Sequence, residues 1–357
     1  MPSHEPPDTQ DLVDELDLQL INCLQFRPRA SWAVIARVLG VDPVTVARRW
    51  ERLERAGLAW VTCYYSVPST DHVLSYVEIE VAGASVADVA VEVARHDYVA
   101  SVHHTTGPRS LVVGVVGPDP AIISKYVSES LCTIDGIAAT RAEIVTGKYG
   151  NASEWRLQAL SPAQRHALQS AYPRPVAAPT APIPPAEEQR ILRILAVDGR
   201  MSTTDLARRL GVSEATARRR VNRLFTENGA TIRCELSQRI SGWPQTGILW
   251  SRAPIDTLDT VARALATLPV VRACLTTTGR NNIMLFAWLR DVQDMHQLEQ
   301  AVSHAAPAVE ITDRAFCLRS FKRIGTLIDD SGRNAGHPGP PPGLSPANPV
   351  AGPSPRL

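Results

Sequence analysis

The sequence predicts an α+β chain in which one module, a set of helices followed by a βαββαβ unit, occurs twice. Three observations predict it: an internal repeat, a helix-turn-helix spacing in each copy, and strand and helix patterns that follow in the same order both times. Sliding the sequence by 171 residues lays Arg29–Leu53 on Arg200–Leu224 with 12 of 25 positions identical, among them Ala36, Gly40, Thr45, Arg48, Arg49 and Arg52. A slip to 172, placed near Gly57 and Asn228-Gly229, aligns Val99, Thr105, Thr106 and Gly107 with Val271, Thr277, Thr278 and Gly279. So long a period excludes a solenoid and indicates a duplicated two-domain module.

Each copy opens with three helices. Leu16, Leu20, Ile21 and Leu24 share a helical face. Ser31 caps a second helix that ends at Leu39-Gly40-Val41, and Asp42-Pro43 supplies an N-cap and first-turn proline for a third helix with Val46, Trp50 and Leu53 inward. The second copy has Ile191, Leu192 and Leu195, a capping box at Ser202–Asp205, Leu210-Gly211-Val212, and Ser213 capping a helix with Ala217, Val221 and Leu224 inward. Small alanine, turn glycine and buried aliphatic residue (Ala36, Gly40, Val46; Ala207, Gly211, Ala217) are what a winged-helix-like helix-turn-helix needs. The third helices carry Thr45, Arg49 and Arg52, and Thr216, Arg220 and Arg223, at i, i+4 and i+7, flanked by Arg48 and by Ser213, Arg218 and Arg219. These ten residues are the expected DNA contacts, because arginine forks match guanine edges and phosphates. Residues 11–60 hold seven arginines and seven acids, net zero, whereas residues 187–235 hold ten and seven, net +3. The second copy is therefore expected to bind DNA more strongly, and loss of Arg220 and Arg223 to weaken binding more than loss of Arg49 and Arg52.

The rest of each copy alternates. Strand patterns at Val73–Val81, Val99–Thr106, Leu111–Val116 and Ile137–Val145 enclose helices at Val86–Arg95 and Ala121–Leu131. The second copy repeats this from Thr246 to Leu318, with turns Gly107–Ser110 and Gly279–Asn282 between the middle strands. The order βαββαβ is that of a ferredoxin-like sandwich. The expected domains are 11–60, 68–150, a linker at 151–186 whose Pro/Ala run starts at 173, then 187–235, 243–328, and a disordered tail at 329–357.

Composition bounds the function. The 37 basic and 36 acidic residues leave +1, and with only Lys125, Lys148 and Lys322 the remaining 34 basic residues are arginines. Six single cysteines without metal spacing, a polar start and the absence of a long apolar run predict a reduced, cytoplasmic protein without membrane, metal or cofactor. No nucleophile elbow or phosphate loop suggests an enzyme.

This arrangement resembles the Lrp/AsnC family of transcriptional regulators over nearly the whole chain outside linker and tail, twice. The resemblance implies sequence-specific binding of double-stranded DNA, homo-oligomerisation through the sandwich, and a small effector such as an amino acid at the middle-strand turn. By position it points to Thr106, Gly107, Arg109 and Ser110, and to Thr278, Gly279, Asn281 and Asn282. The family usually has Asp at the fourth turn position, where Ser110 and Asn282 stand here, so the effector is expected to differ or to be absent. Both copies lie on one chain, which predicts an intrachain pseudo-dimer with unequal recognition helices, suited to an asymmetric site. Sirohaem decarboxylases are similar to the same family and are the enzyme alternative. His103, His104 and Arg109 fit it, but Leu275 and Thr276 replace the histidines in copy two and neither turn gathers the aromatic and basic residues a tetrapyrrole wants. A third alternative is an architectural or partner-binding protein.

Overall fold

In the computed structural model, residues 13–65, 72–150, 155–171, 183, 185–226 and 229–337 are described. The first helix-turn-helix comprises α1 (Glu15–Phe26), α2 (Trp32–Leu39) and α3 (Pro43–Arg55), followed by strand β1 (Ala59–Tyr65). Its caps are those the sequence predicts. Ser31 and Asp42 accept from the backbone N–H of Val34 and Val44, and Gly40 closes α2 in the left-handed region at φ 71°. Copy two matches it with α7 (Pro185–Val197), α8 (Thr203–Leu210), α9 (Glu214–Thr226) and β6 (Ala230–Leu236), Gly211 also at φ 71°.

The extended connector after α3 is half of an intermolecule-like contact within one chain. β1 pairs antiparallel with β6, with Thr62 opposite Arg233, its equivalent at the 171-residue offset, so the slip to 172 falls after the ribbon and not near Gly57. A pseudo-twofold axis therefore crosses the ribbon there. The strands are exchanged between cores: Cys234 and Leu236 pack into the first helical unit, Cys63 into the second. Arg29 donates to the carbonyls of Gly199 and Met201 at 2.6 and 2.7 Å, and Arg200 donates to those of Pro28 and Ala30 at 2.5 and 2.8 Å.

The sandwiches comprise β2 (Val73–Val81), α4 (Val86–Arg95), β3 (Val99–Thr105), β4 (Leu111–Gly117), α5 (Pro120–Glu129) and β5 (Ile137–Tyr149), and β7 (Gln245–Arg252), α10 (Leu258–Ala266), β8 (Val271–Thr277), β9 (Ile283–Leu289), α11 (Asp294–Ala305) and β10 (Glu310–Arg323), the last extended by β11 (Thr326–Leu327). Strand order β3-β4-β2-β5 and its equivalent β8-β9-β7-β10 are those of the ferredoxin-like unit. The two sheets join edge to edge twice, β5 with β8 and β10 with β3, closing an antiparallel barrel of eight strands. Both junctions obey the same pseudo-dyad, since Thr105 opposite Cys317 and Val145 opposite Thr277 differ by 172 at each position. Strand alternation sorts the side chains. Val77, Val113 and Val115 face α4 and α5; Leu249, Leu285 and Ala287 face α10 and α11; Leu74, Val112, Trp250, Leu275, Met284 and Phe286 fill the barrel.

Two expectations change. The linker expected at 151–186 contains α6 (Pro162–Ala171), whose Leu168 is fully buried on the first helical unit along with Leu157 and Leu160. Backbone N–H groups of Leu157 and Leu160 donate to Gln25 and Asn22, so the apolar residues ahead of the Pro/Ala run strap it to α1. Most of the Pro/Ala run itself lies outside the described residues. The tail expected from 329 begins later, because Asn334 pairs with Ile328 and donates to the carbonyl of Gly57, whose φ of +66° and close contact with Asn334 leave no room for a Cβ. Residues 338–357 lie outside the described residues. No described helix is long and apolar enough to cross a membrane.

Candidate nucleic-acid interface and interdomain cavity

The third helices are placed by their caps and by buried Val46, Trp50 and Leu53, and Ala217, Val221 and Leu224. Their arginines divide. Arg49 donates to Asp14 at 2.7 Å and to Asp17 at 3.0 Å, and Arg52 pairs with Asp17, a carboxylate of α1 with no exposed surface. Burial opposes ionisation of Asp14, but the hydrogen bonds from Arg49 and the Asp17 backbone hold its carboxyl below the usual range. In copy two Arg220 pairs with Glu187 of α7, and Arg223 is half-buried. The spacing that predicts an outward stripe thus turns Arg49 and Arg220 back onto the first helix of each unit, whereas Arg52 pairs with Asp17 and keeps 44% of its side chain exposed. The face left to solvent carries Val44, Arg48, Glu51, Arg52 and Arg55 on α3, and Ala215, Arg218, Arg219 and Asn222 on α9. Thr45 and Thr216 sit at its border, and Ser213 caps α9 through the Thr216 N–H at 3.2 Å.

The middle-strand turns lie at one end of the barrel and serve the joint between modules. Thr106 and Thr278 each exchange two hydrogen bonds, with Phe316 and with Ile144. The Arg109 guanidinium, 7% exposed, pairs with Glu78 at 3.1 Å and Asp313 at 2.6 Å and stacks on Trp250 at 3.9 Å. Ser110 accepts from the N–H of Val81, Asn282 exchanges hydrogen bonds with Ala253, and Asn281 accepts from Thr312. The Glu143 carboxyl occupies the space beside Gly279 that a Cβ would need, and burial, then the Glu78 charge, pushes its pKa up. Gly107 keeps open space.

The opposite end of the barrel holds a cavity of about 210 Å³ under the β1–β6 ribbon. Leu74, Tyr76, Phe286 and Trp288 wall it, His103, Lys148, Arg272 and Arg323 bring polar atoms, and Tyr64, Tyr65 and Glu235 close it from the ribbon. Burial and then Arg323 push the His103 pKa down to about 4, so its imidazole is neutral at pH 7; its Nδ1 lies 2.9 Å from Ser320 Oγ. The aromatic and basic cluster that neither turn provides is therefore present, but at the far mouth. Residue spacing could not reveal it, because Tyr64, His103, Arg272 and Arg323 meet only through barrel closure and strand exchange. His104 is partly exposed and is not among the cavity residues.

Comparison with known proteins agrees with this architecture. The AsnC-type helix-turn-helix domain matches residues 13–54 and 188–224, and the Lrp/AsnC ligand binding domain matches 74–153 and 250–327. An uncharacterised HTH-type transcriptional regulator of Pyrococcus abyssi is 32% identical over 144 residues, covering 39% of this chain and 91% of that protein. The Bkd operon transcriptional regulator of Pseudomonas aeruginosa is 31% identical over 136 residues, 37% and 88% of the respective chains. Among solved structures, the siroheme decarboxylase NirDL in complex with an iron-uroporphyrin III analogue superposes over 87% of this chain and 93% of its own with a TM-score of 0.56 at 15% identity, a likeness of fold. With two helix-turn-helix units and two ligand-binding domains in alternation, the chain belongs to the Lrp/AsnC family of transcriptional regulators, as a tandem duplication of the family module.

Proposed function

We propose that this regulator binds DNA as a pseudo-dimer within one polypeptide, presenting two unequal recognition helices to an asymmetric operator. The observation that carries the reading is the β1–β6 ribbon with its Arg29 and Arg200 clasp, which holds α3 and α9 in one fixed relation without a second chain. The DNA contacts are Thr45, Arg48, Arg52, Ser213, Thr216, Arg218 and Arg219; Arg49, Arg220 and Arg223 act by orienting these helices and reach phosphate only by leaving their present surroundings. Copy two dominates affinity because residues 187–235 carry net +3 against zero over residues 11–60, with Arg218 and Arg219 exposed on α9. The test is selection of bound duplexes from genomic fragments, followed by footprinting. Two different half-sites per chain are expected, and two matching half-sites would contradict the reading. An effector at Thr106–Ser110 or Thr278–Asn282 requires displacement of the contacts those residues make to the other module, and titration with amino acids monitored at the turns tests it.

A second reading is a tetrapyrrole-handling protein of the same fold. It is favoured by the joint presence of His103 and basic residues in the cavity and by the whole-chain fold likeness to NirDL. The cavity, at about 210 Å³, is smaller than the roughly 300–1,000 Å³ of ordinary ligand pockets. That size favours the regulator with a smaller ligand. A stoichiometric Soret band on adding haem would favour the second reading.

A further inference from the structure

The barrel mouth under the ribbon holds more positive charge than its own residues balance. Arg233 and Arg272 are 3% and 7% exposed, and the Arg323 side chain is 15% exposed. Among the described residues, Glu235 is the carboxylate that pairs with this group, at 2.6 Å from Arg233 Nε and 3.8 Å from Arg323 Nη2. Arg233 is met by Glu235 and by the Tyr64 hydroxyl, whereas Nη1 of Arg272 and Nε of Arg323 are buried without a hydrogen-bond partner. Burying guanidinium groups in this way costs free energy unless an anion accepts from them. Arg272 cannot swing out to water easily, because its guanidinium lies 4.4 Å from the Trp155 ring and 4.0 Å from Trp288. The wall next to it is apolar and aromatic, with Tyr76 and Phe286 5.1 Å apart.

Duplication made this site one-sided. Across the pseudo-dyad, Arg272 corresponds to Ala100, Leu275 to His103, Phe286 to Gly114 and Trp288 to Val116. A homodimer of one module would carry two copies of any anchor at its axis, whereas this chain places Arg272 between two tryptophans on one side and Ala100, Gly114 and Val116 at the equivalent positions on the other. An eight-stranded barrel has room for side chains or one small ligand, and here the small residues leave that room.

We propose that the cavity is a binding site for one small aromatic carboxylate, its ring among Tyr76, Phe286 and Trp288 and its carboxylate accepting from Arg272 and Arg323. The site lies at the far end of the barrel from the middle-strand turns and does not depend on how the chain reads DNA, so its test contains no DNA. Calorimetric titration of the full chain with indole-3-acetate, phenylacetate and 4-hydroxyphenylacetate should show 1:1 binding of at least one of them below millimolar. The uncharged analogue of the acid that binds (3-methylindole, toluene or 4-methylphenol) should bind at least about tenfold more weakly, as loss of a charge-assisted hydrogen bond requires. Arg272→Gln should weaken the acid by a similar factor. Ala273→Phe, which fills the cavity and leaves every arginine in place, should abolish binding at an unchanged thermal midpoint, which separates loss of the site from loss of the fold. The proposal is overturned if none of the three acids binds, if both variants bind as the wild type does, or if haem instead titrates 1:1 with a Soret band that Arg272→Gln removes.

Discussion

Asp17 illustrates how one buried carboxylate decides the role of two arginines. With no exposed surface, it holds both Arg49 and Arg52, drawing Arg49 off the solvent face while Arg52 keeps 44% of its side chain exposed. Asp17→Ala should cost about 1–3 kcal/mol in urea denaturation, since it removes the buried carboxylate that Arg49 and Arg52 share. The exposed arginines behave oppositely. Arg218→Ala with Arg219→Ala should leave stability within about 0.5 kcal/mol but lower the slope of log affinity against log salt by about two, one for each phosphate no longer neutralised. An unchanged slope would show that α9 does not face the backbone. His103 supplies a pH signature. Its pKa, usual value 6.5, falls to about 4 on folding through burial and then Arg323, so the stability it contributes is present above pH 6.5 and is lost as the pH falls from 6.5 towards 4. His103→Gln should therefore flatten the decline of the denaturation midpoint across that window, by up to about 3 kcal/mol.

At the level of elements, the joints between modules rest on backbone geometry that the repeat encodes twice. Gly40 and Gly211 end α2 and α8 at the same positive φ with nothing within 4 Å of the position a Cβ would take, so alanine there costs only conformational strain, about 1–2 kcal/mol. The ribbon is different in kind, because each β-strand packs into both copies' cores. The reciprocal Arg29 and Arg200 hydrogen bonds close it. Arg29→Ala with Arg200→Ala should leave the recognition helices folded and circular dichroism unchanged. The same variant should weaken binding to a two-half-site duplex by at least about tenfold, with little effect on an isolated half-site, because the clasp fixes spacing rather than contact. Equal losses on both duplexes would assign the arginines to DNA instead. The helices, their caps and the strand order were legible because caps, periodicity and turn glycines are local. The α6 strap was not legible, since Pro162–Ala171 has a weak pattern of its own and is ordered by Leu168 meeting α1 and α2.

For the whole molecule, closure is the governing feature. Once β5 meets β8 and β10 meets β3, every strand of the barrel has a neighbour on each side, and the chain completes the assembly that a single-module protein would need two copies to build. The cavity at its mouth is closed by Tyr64, Tyr65 and Glu235 of the ribbon that spaces the recognition helices. An acid that occupies the cavity should therefore change operator affinity, by a factor of about 5–150 if the coupling is of ordinary size. Anisotropy titrations of labelled operator with and without that acid measure it. Identical curves would mean that the site binds without regulating.

The repeat, the two helix-turn-helix units, the βαββαβ order and hence the family can be read from the chain, because these rest on spacings within about 25 residues and are written twice. Tertiary structure alone decided which arginines face solvent, since Asp14, Asp17 and Glu187 compete for them across helices, and where an anion fits. Arg233, Arg272 and Arg323 stand 39 and 51 residues apart within copy two and share one neighbourhood only because barrel closure brings β8 and β10, the two edges of its sheet, round to the mouth under the ribbon. Charge compensation depends on distance in space, and no local pattern records it.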